Sequence, residues 1–408
     1  MRLCASVIAI AVLSPLSAFA QEPPPGAPPA APPAGAPPAA AVEVAPAAAP
    51  AAAPAAPATP VVAAPAKTWK DLITIDGLVD TYYLYNFSGV GTNKSLVAPS
   101  YQRSFDVNSN TFTLNYAKVG IGMSADMVAL RMDLGYGALG NIVNGIPGPG
   151  IQPMGVPAAI GSPFLVEQAF MSLTPVTNLT IDAGKFVTTA GAEVIEANKN
   201  WLYSRSLLFF NIPLLHTGIR AGYKVNDMVS LQASIVNGWN GQGFEVDGNG
   251  AKTYGVNATF TLPMGLTILP TIYFGKETGS TDTRFLGDLV AAYAMGPLGL
   301  NLNFDYVKDA ALGIDPYLGV AAMGHYTVSD HLNVTARVEY QQLTAASGAT
   351  AQKNEEVTLG CALPFAGHLE VRPELRADFG SPANFNEGDP ADLKKTSITA
   401  LVAGLAYF

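Results

Sequence analysis

The stretch that decides the fold is LEVRPELRADF, residues 369–379. Its charged residues occupy every second position: Glu370, Arg372, Glu374, Arg376 and Asp378. Because successive side chains of a β-strand point to opposite faces, this pattern predicts a strand with one charged face and one mainly apolar face. A soluble sheet can also contain one such strand, with its charged face in water. The fold therefore depends on whether the rest of the chain repeats the pattern.

The last strand candidate is TSITALVAGLAYF, residues 396–408, and it ends on an aromatic residue. An alternating strand that ends on Phe408 resembles the C-terminal signature of bacterial outer-membrane proteins. This resemblance implies contact with outer-membrane lipid and with the outer-membrane assembly machinery. In a barrel surrounded by lipid, the charged face of residues 369–379 must line the lumen, because a charge on the lipid face costs about 2–4 kcal/mol near the middle of the membrane.

Alternating segments recur from Ile73 to the end of the chain. The candidate strands cover residues 73–87, 111–123, 128–137, 165–174, 179–188, 218–225, 229–240, 253–262, 266–276, 284–295, 298–308, 317–328, 332–344, 355–363, 369–379 and 396–408. They predict an all-β fold, a transmembrane antiparallel up-and-down β-barrel of about 16 strands, within a range of about 14 to 18. Pro270 and Pro373 lie inside two of these strands and predict bulges or the end of regular pairing.

Connections after even-numbered strands are short, whereas those after odd-numbered strands are mostly long. This asymmetry predicts short periplasmic turns and long extracellular loops. Aromatic residues are expected to form a belt on the lipid face near each rim. The belt near the long loops is predicted to contain Tyr85, Phe87, Trp239, Phe274, Phe304, Tyr306, Tyr340 and Phe379. The belt near the short turns is predicted to contain Tyr223, Phe260, Tyr293, Tyr326 and Phe408.

The first part of the chain predicts export to the cell outer membrane. Residues 1–20 fit a signal peptide, with Arg2 before a short apolar run and a small-residue cleavage site at 18–20. Residues 21–67 are mainly Ala and Pro and predict a disordered periplasmic linker, either a passive spacer or a tether to the cell wall. The barrel is expected to occupy residues 68–408. The net charge of −9 argues against nucleic acid as a partner.

Charged residues gather at the positions that the alternation points inward. Both signs occur, which predicts a wet lumen that selects solutes by size and lining charge. Salt bridges that merely satisfy buried charges are the alternative for any single residue. The predicted pore-lining residues are Arg131, Asp133, Arg220, Lys224, Arg284, Asp288, Arg337, Glu339, Glu370, Arg372, Glu374 and Arg376.

The connection 189–217 combines polar residues with the apolar runs 207–210 and 212–215. An apolar run on an extracellular loop would be exposed to water unless the loop folds against the barrel interior or a neighbouring subunit. We therefore expect a constriction loop inside the lumen, with Glu193, Glu196 and Arg205 at the narrowest point. A misassigned pair of strands and a subunit-contact loop remain as alternatives.

Several runs resemble a known family. They are GKF at 184–186, GAEVIE at 191–196, NWLYSRSLLF at 200–209, HTG at 216–218 and VNGWN at 236–240, together with 77–87 and RSFD at 103–106. These runs resemble the putative β-barrel porin-2 family of Gram-negative outer membranes. The resemblance implies a porin-like outer-membrane protein, and it supplies no catalytic residue and no settled substrate.

The predicted function is passive diffusion of small hydrophilic solutes or ions through the lumen, with no cofactor and no metal. A hydrolase in the barrel wall would need a Ser–His–acid arrangement, and the four histidines, His216, His325, His331 and His368, are expected in unrelated loops or turns. The rival hypotheses are a structural barrel that anchors the envelope through the Ala/Pro segment and, less favoured, an outer-membrane hydrolase. The sequence leaves open whether the barrel is a monomer or a homotrimer.

Overall fold

The structure, a computed structural model, describes residues 72–87, 103–145, 162–240, 249–277, 283–309, 314–345, 352–383, 385–386 and 393–408. The predicted signal peptide and the predicted Ala/Pro linker lie outside the described residues. Among these residues, no helix is long and apolar enough to cross a bilayer.

Sixteen strands close into one antiparallel barrel, as predicted. In chain order they are β1 (Ile73–Asn86), β2 (Thr111–Ala125), β3 (Val128–Tyr136), β4 (Phe164–Val176), β5 (Leu179–Val187), β6 (Leu215–Lys224), β7 (Val229–Val236), β8 (Thr253–Leu262), β9 (Leu266–Lys276), β10 (Thr283–Met295), β11 (Leu298–Asp309), β12 (Ile314–Ser329), β13 (Leu332–Ala345), β14 (Gln352–Phe365), β15 (Leu369–Ser381) and β18 (Thr396–Tyr407). The two-residue strands β16 (Phe385–Asn386) and β17 (Leu393–Lys394) form a separate ribbon between β15 and β18. Short helices are α1 (Ala138–Gly145) and α2 (Leu207–Phe210), and 3-10 turns cover Ala197–Lys199 and Pro263–Gly265.

The last strand closes the barrel against the first. Strand β18 pairs antiparallel with β1 on one side and with β15 on the other. At the seam, Gly77 N donates to Phe408 O at 3.1 Å and Phe408 N donates to Gly77 O at 3.2 Å. A closed ring of strands leaves no unpaired edge, which is what a β-sheet needs in lipid.

The two prolines do not act as predicted. Pro270 pairs with Leu289 of β10 in an unbroken register, and Pro373 pairs with Val402 of β18 in the same way. On the other side of each proline strand, the pairing with β8 or β14 skips two positions and then resumes in the same register. The prediction of a bulge or a strand end at these residues was therefore wrong. A missing N–H interrupts one ladder locally, while the other ladder keeps the strand in register.

Exposed and buried residues alternate along the strands. The exposed set is apolar and faces outward, whereas the buried set carries the charged and amide side chains. Exposed aromatics near the long-loop rim are Tyr85, Phe87, Phe112, Tyr136, Phe164, Tyr254, Phe274, Phe304 and Phe379, and those near the short-turn rim include Tyr223, Phe365 and Phe408. Trp239 was placed wrongly, because β7 ends at Val236 and the indole lies buried, 1% exposed, beneath the Arg284 guanidinium.

Two bulges change which residues face inward. In β2, Tyr116 and Leu114 pair with consecutive residues of β1, so that Asn115 between them is an extra residue. In β4, Glu167 is an extra residue in the same way, between two residues that pair with consecutive positions of β3. A bulge reverses the inside–outside alternation beyond it. As a result Lys118 and Glu167, which strict alternation does not bring together, both lie in the barrel interior.

An apolar core fills the long-loop half of the barrel. It contains Leu139 and Val143 of α1, Phe209 and Ile212 of the connection between β5 and β6, and Trp239. The ring centroids of Phe209 and Phe105 lie 5.7 Å apart in an edge-to-face arrangement. The interior is thus packed like a small domain at this level rather than left as an open tube.

Candidate functional site

The connection between β5 and β6, residues 188–214, lies inside the barrel, and we call it the inner loop. Its neck is closed by a hydrogen bond from Thr188 N to Leu214 O at 2.9 Å. From there it crosses the lumen: the Thr189 hydroxyl lies 2.9 Å from the Tyr273 hydroxyl of β9, and Ala192 N donates to Asn303 of β11 at 3.2 Å. Between Thr188 and Leu214 the chain forms only a 3-10 turn and α2, so the alternative of a misassigned strand pair is excluded.

Arg337 of β13 is the first anchor of the inner loop. Its side chain is fully buried, and its Nη1 donates to Glu193 Oε1 at 3.0 Å and to Ser204 O at 2.8 Å. Nε forms ion pairs with Glu339 at 2.8 Å and with Glu356 at 3.0 Å. One guanidinium thus joins a carboxylate of the loop to two carboxylates of the wall, a geometry that the planar fork of arginine favours.

The carboxylates around Arg337 also hold loop backbone. Glu339 Oε2 accepts from Leu207 N at 2.7 Å, and Glu193 Oε2 accepts from Ser206 N at 2.8 Å. Leu207 opens α2, and the Ser206 hydroxyl caps that helix by accepting from Phe209 N at 3.0 Å. One carboxylate of the wall and one of the loop therefore satisfy backbone groups that would otherwise be buried without a partner.

Strand β15 supplies a second row of anchors. Arg372 Nη1 donates to Ala197 O and Asn200 O, each at 2.7 Å. Glu374 Oε2 accepts from Tyr203 N at 3.0 Å, and Arg376 Nη1 donates to the backbone oxygen of Arg205 at 2.8 Å. Each of these wall residues was predicted to line the pore, but each is 6% exposed or less and contacts the loop.

Lys118 of β2 anchors the far end of the inner loop. Its Nζ lies 2.5 Å from Glu196 of the loop, 3.5 Å from Asp133 of β3 and 3.6 Å from Glu167 of β4. Burial works to raise the pKa of Glu196, but Lys118 and Lys199 outweigh it and hold the pKa of this carboxyl well below its usual range. Glu196 is thus ionised when the loop is docked.

Arg205 does not face the lumen. Its Nε donates to Val194 O at 2.9 Å, its Nη2 donates to Ile195 O at 2.5 Å, and its Nη1 donates to the backbone oxygen of Tyr203. Because all of these acceptors belong to the inner loop, Arg205 braces the loop internally. Glu193, Glu196 and Arg205 are all buried, with Glu193 paired to Arg337 and Glu196 paired to Lys118, and their place at the narrowest point stays a prediction.

Inward-facing glycines make room for bulky side chains of the loop. A Cβ on Gly299 would lie 2.7 Å from the Trp201 ring, one on Gly319 would lie 3.0 Å from Leu208, and one on Gly360 would lie 2.6 Å from Leu202. Any larger residue at these positions would push the loop away from the wall. These glycines are therefore part of the docking surface of the loop.

The substitution Gly360→Val is expected to loosen the inner loop without opening the barrel. Overpacking of this kind costs about 1–3 kcal/mol, because Leu202 is buried and has little room to move. We expect faster proteolytic cleavage within residues 188–214 and more frequent current fluctuations in a planar bilayer. The matched control is Gly324→Val, since Gly324 faces outward and its added Cβ would meet only Leu300, at 3.7 Å. Equal behaviour of the two variants would contradict the docking role of Gly360.

The other predicted pore residues lie in local ion pairs or hydrogen bonds of the wall. Arg131 contacts Asp76 at 2.6 Å and Asp133 at 2.7 Å. Arg284 pairs with Asp309, Glu370 pairs with Arg372 at 3.1 Å, and Asp288 accepts from Asn303 at 2.7 Å. Lys224 ends β6 at the short-turn rim on the inward side, opposite Ser230 of β7, where it is about half exposed and pairs with Asp227 at 2.7 Å.

The histidines differ from expectation as well. His331 and His368 are exposed turn residues, as predicted, whereas His216 lies in β6 and His325 lies in β12, both buried. His216 stacks on Tyr273 at 4.8 Å and His325 stacks on Trp201 at 5.0 Å. These two rings pack the interior and are not brought together.

One side of the interior remains open. On β5–β8 near the short-turn rim, the inward residues are partly exposed: Thr180, Gly222, Ser230, Gln232, Asn257 and Thr259. A Cβ added at Gly222 would meet no atom within 4 Å. At the corresponding ends of β11, β13 and β15, by contrast, Asn301, Thr335 and Glu370 are buried. The inner loop thus fills one side of the barrel and leaves the other accessible to solvent.

Several anchor residues escaped sequence reasoning. Lys118 and Glu167 lie beyond bulges, where the alternation fails. Glu356, which stands directly opposite Glu339 in the β13–β14 register, was missed as well. Asp80 of β1 was at an inward position of the alternation, and it accepts from the Tyr203 hydroxyl at 2.7 Å. The inward parity of Glu356 within the predicted strand 355–363 was the one usable signal.

Known proteins give a consistent picture of the fold. A sequence model of the family described as Putative beta-barrel porin-2, OmpL-like, matches residues 72–408. None of the curated proteins matches this chain significantly. Similar solved structures include an anion-selective porin from Comamonas acidovorans, 12% identical with a TM-score of 0.54, covering 82% of this chain and 99% of that chain. The outer membrane channel DcaP of Acinetobacter baumannii is 13% identical with a TM-score of 0.54, covering 82% and 97%. The trimer form of Vibrio cholerae OmpT, an outer membrane protein, is 14% identical with a TM-score of 0.52, covering 82% and 99%.

Proposed function

This chain belongs to the family described as Putative beta-barrel porin-2, OmpL-like, and we propose that it is a passive diffusion channel for small hydrophilic solutes or ions that the inner loop narrows. It is a porin of the outer membrane. The observation that carries the proposal is the inner loop itself, which crosses the lumen and is fixed to β9, β11, β13, β15, β1 and β2. A passage bounded by a fixed loop selects by its width and needs no energy source.

The role proposed for the predicted charged residues is revised by their contacts. We propose that Arg337, Glu339, Arg372, Glu374 and Arg376 set the width of the passage by fixing the loop. The arginines pair with carboxylates or donate to loop carbonyls, and Glu339 and Glu374 accept from loop N–H groups. These residues therefore act on solutes through the position of the loop. Fewer interior charges than the sequence predicted are then available to attract or repel ions directly.

The alternative of an envelope anchor rests on the Ala/Pro segment, residues 21–67. A chain without this segment keeps its conductance if the barrel is a channel, whereas an anchor without it loses its attachment to the cell wall. We further propose that Phe408 engages the outer-membrane assembly machinery.

Chemical crosslinking of the purified protein would distinguish a monomer from a homotrimer.

Single-channel recording of the mature chain, residues 21–408, in a planar bilayer tests the proposal. We expect steady open steps, and we expect Glu193→Gln and Arg205→Gln to change their size or stability. Glu193→Gln weakens the contact to Arg337, and Arg205→Gln removes hydrogen bonds from a charged donor that are worth about 1.5–3 kcal/mol each. A correctly folded barrel that gives no steps would contradict the channel function and favour the anchor.

A further inference from the structure

The open side of the interior has a lining of its own, distinct from the charged side. We call it the neutral patch: Thr180, Gly222, Ser230, Gln232, Asn257 and Thr259. Its members lie in two adjoining rows across β5–β8, with Thr180 opposite Gly222, Gly222 opposite Gln232 and Gln232 opposite Asn257. All of them are partly exposed and none carries a charge.

The polar groups of the neutral patch are available to a solute. Among the described residues, none hydrogen-bonds to the Gln232 side chain. Asn257 Nδ2 donates to Thr271 Oγ1 at 2.9 Å, which leaves the Asn257 carbonyl oxygen and a second N–H. Amides that face each other across neighbouring strands offer donors and acceptors within the span of one small molecule.

The charges next to the neutral patch are paired: Lys224, opposite Ser230, pairs with Asp227 at the rim at 2.7 Å, and Arg220 pairs with Asp182 in the wall. Arg220 Nε donates to Asp182 Oδ2 at 2.7 Å, and Ser172 Oγ donates to the other carboxylate oxygen at 2.6 Å. Arg220 also lies over the Phe170 ring at 5.4 Å and the Phe186 ring at 4.4 Å. Phe170 is itself partly exposed and lies beyond the Asp182–Arg220 row from the patch.

We infer that solutes pass along the neutral patch and that the channel favours neutral polyhydroxylated molecules, such as small sugars and polyols, over ions of the same size. This inference rests on the proposed function, since it names the solute class of that channel. Hydroxyl groups of a solute replace lost water contacts with the amides and hydroxyls of the patch. An ion gains no unpaired opposite charge there to offset the loss of its hydration shell, because the Lys224 ammonium beside Ser230 is already paired with Asp227.

Proteoliposomes that contain the mature chain provide the test, with glucose, gluconate and glucosamine as neutral, anionic and cationic probes of similar size. We expect glucose to enter fastest, and we expect a reversal potential near zero in a KCl gradient. Gln232→Glu is expected to slow gluconate about fivefold, the effect of one like charge about 4 Å away in water. It should also shift the reversal potential toward cation selectivity, and Gln232→Lys should shift it in the opposite direction.

Two further variants complete the design. Gly222→Trp fills the open space of the patch and is expected to slow all three probes, because its side chain would stand in the passage. Ala233→Leu is the matched control, because Ala233 lies between Gln232 and Ser234 on β7 and faces lipid, and uptake should be unchanged. Uptake of ions as fast as glucose, or equal selectivity of Gln232→Glu and Gln232→Lys, would overturn the inference while leaving the channel in place. A folded barrel that passes no probe and no current would instead contradict the proposed function.

Discussion

Replacing Arg337 by methionine is expected to release the inner loop and raise the single-channel conductance severalfold. The substitution leaves Glu193, Glu339 and Glu356 buried without the guanidinium that joins them. Breaking a buried ion pair by removing one partner costs about 3–5 kcal/mol. Where this cost falls on loop docking, the ratio of docked to undocked loop drops by a factor of about 10²–10⁴.

Two controls separate this effect from general damage. Arg337→Lys keeps the charge but loses the fork that reaches Ser204 and Arg205, so it should give an intermediate conductance. Val338→Leu alters the neighbouring lipid-facing residue and should behave as the unchanged protein. Cleavage of residues 188–214 by a protease added to the folded barrel measures loop release directly. Unchanged conductance and unchanged protease resistance of Arg337→Met would show that the loop does not depend on this anchor.

The strands could be predicted because lipid imposes a simple rule on every one of them. Each strand must present apolar residues outward, so the period of two survives even where the residues themselves vary, as in β8 and β9, whose bounds were predicted without error. The loop asymmetry follows from the same architecture. Errors at β6, β7 and β14 arose where inward residues are apolar or neutral, as at Leu215 and Val236, because alternation then gives no contrast.

The docking of the inner loop could be expected from its apolar runs, but its partners could not. Arg376 and Arg205 are 171 residues apart in the chain, and Arg337 and Glu193 are 144 apart. Such pairs depend on which strand faces the loop after the barrel closes. A list of inward charges therefore identified most wall residues correctly as interior and misjudged what they contact. The partly exposed neutral patch was not predicted, because uncharged residues carry no sequence signal for a pore.

Replacing Lys118 by methionine is expected to loosen the other end of the inner loop in a manner that depends on pH. Lys118 is the ammonium shared by Asp133, Glu167 and Glu196, so its loss leaves three buried carboxylates near one another. In the unchanged protein the pKa of Glu196 lies well below its usual range, because Lys118 and Lys199 outweigh the effect of burial. The stabilisation that Glu196 gives is therefore present above its unfolded-state pKa of about 4.3 and is lost only as the pH falls toward the lower folded-state value.

In Lys118→Met the pH dependence of loop docking has the opposite sign. Burial and the neighbouring carboxylates then raise the pKa of Glu196, so the docked loop is destabilised at neutral pH and recovers as acid protonates the carboxyl. We expect a higher conductance at pH 7 that falls back toward the normal value as the pH approaches about 5, a range just above the ordinary pKa of a glutamate. Lys199→Met is the matched control: Lys199 contacts the same carboxylate at 3.0 Å but is 39% exposed, so its loss should have a much smaller effect. If the conductance change in Lys118→Met did not depend on pH, the Lys118 side chain would support the loop by filling space and not by balancing the charge of Glu196.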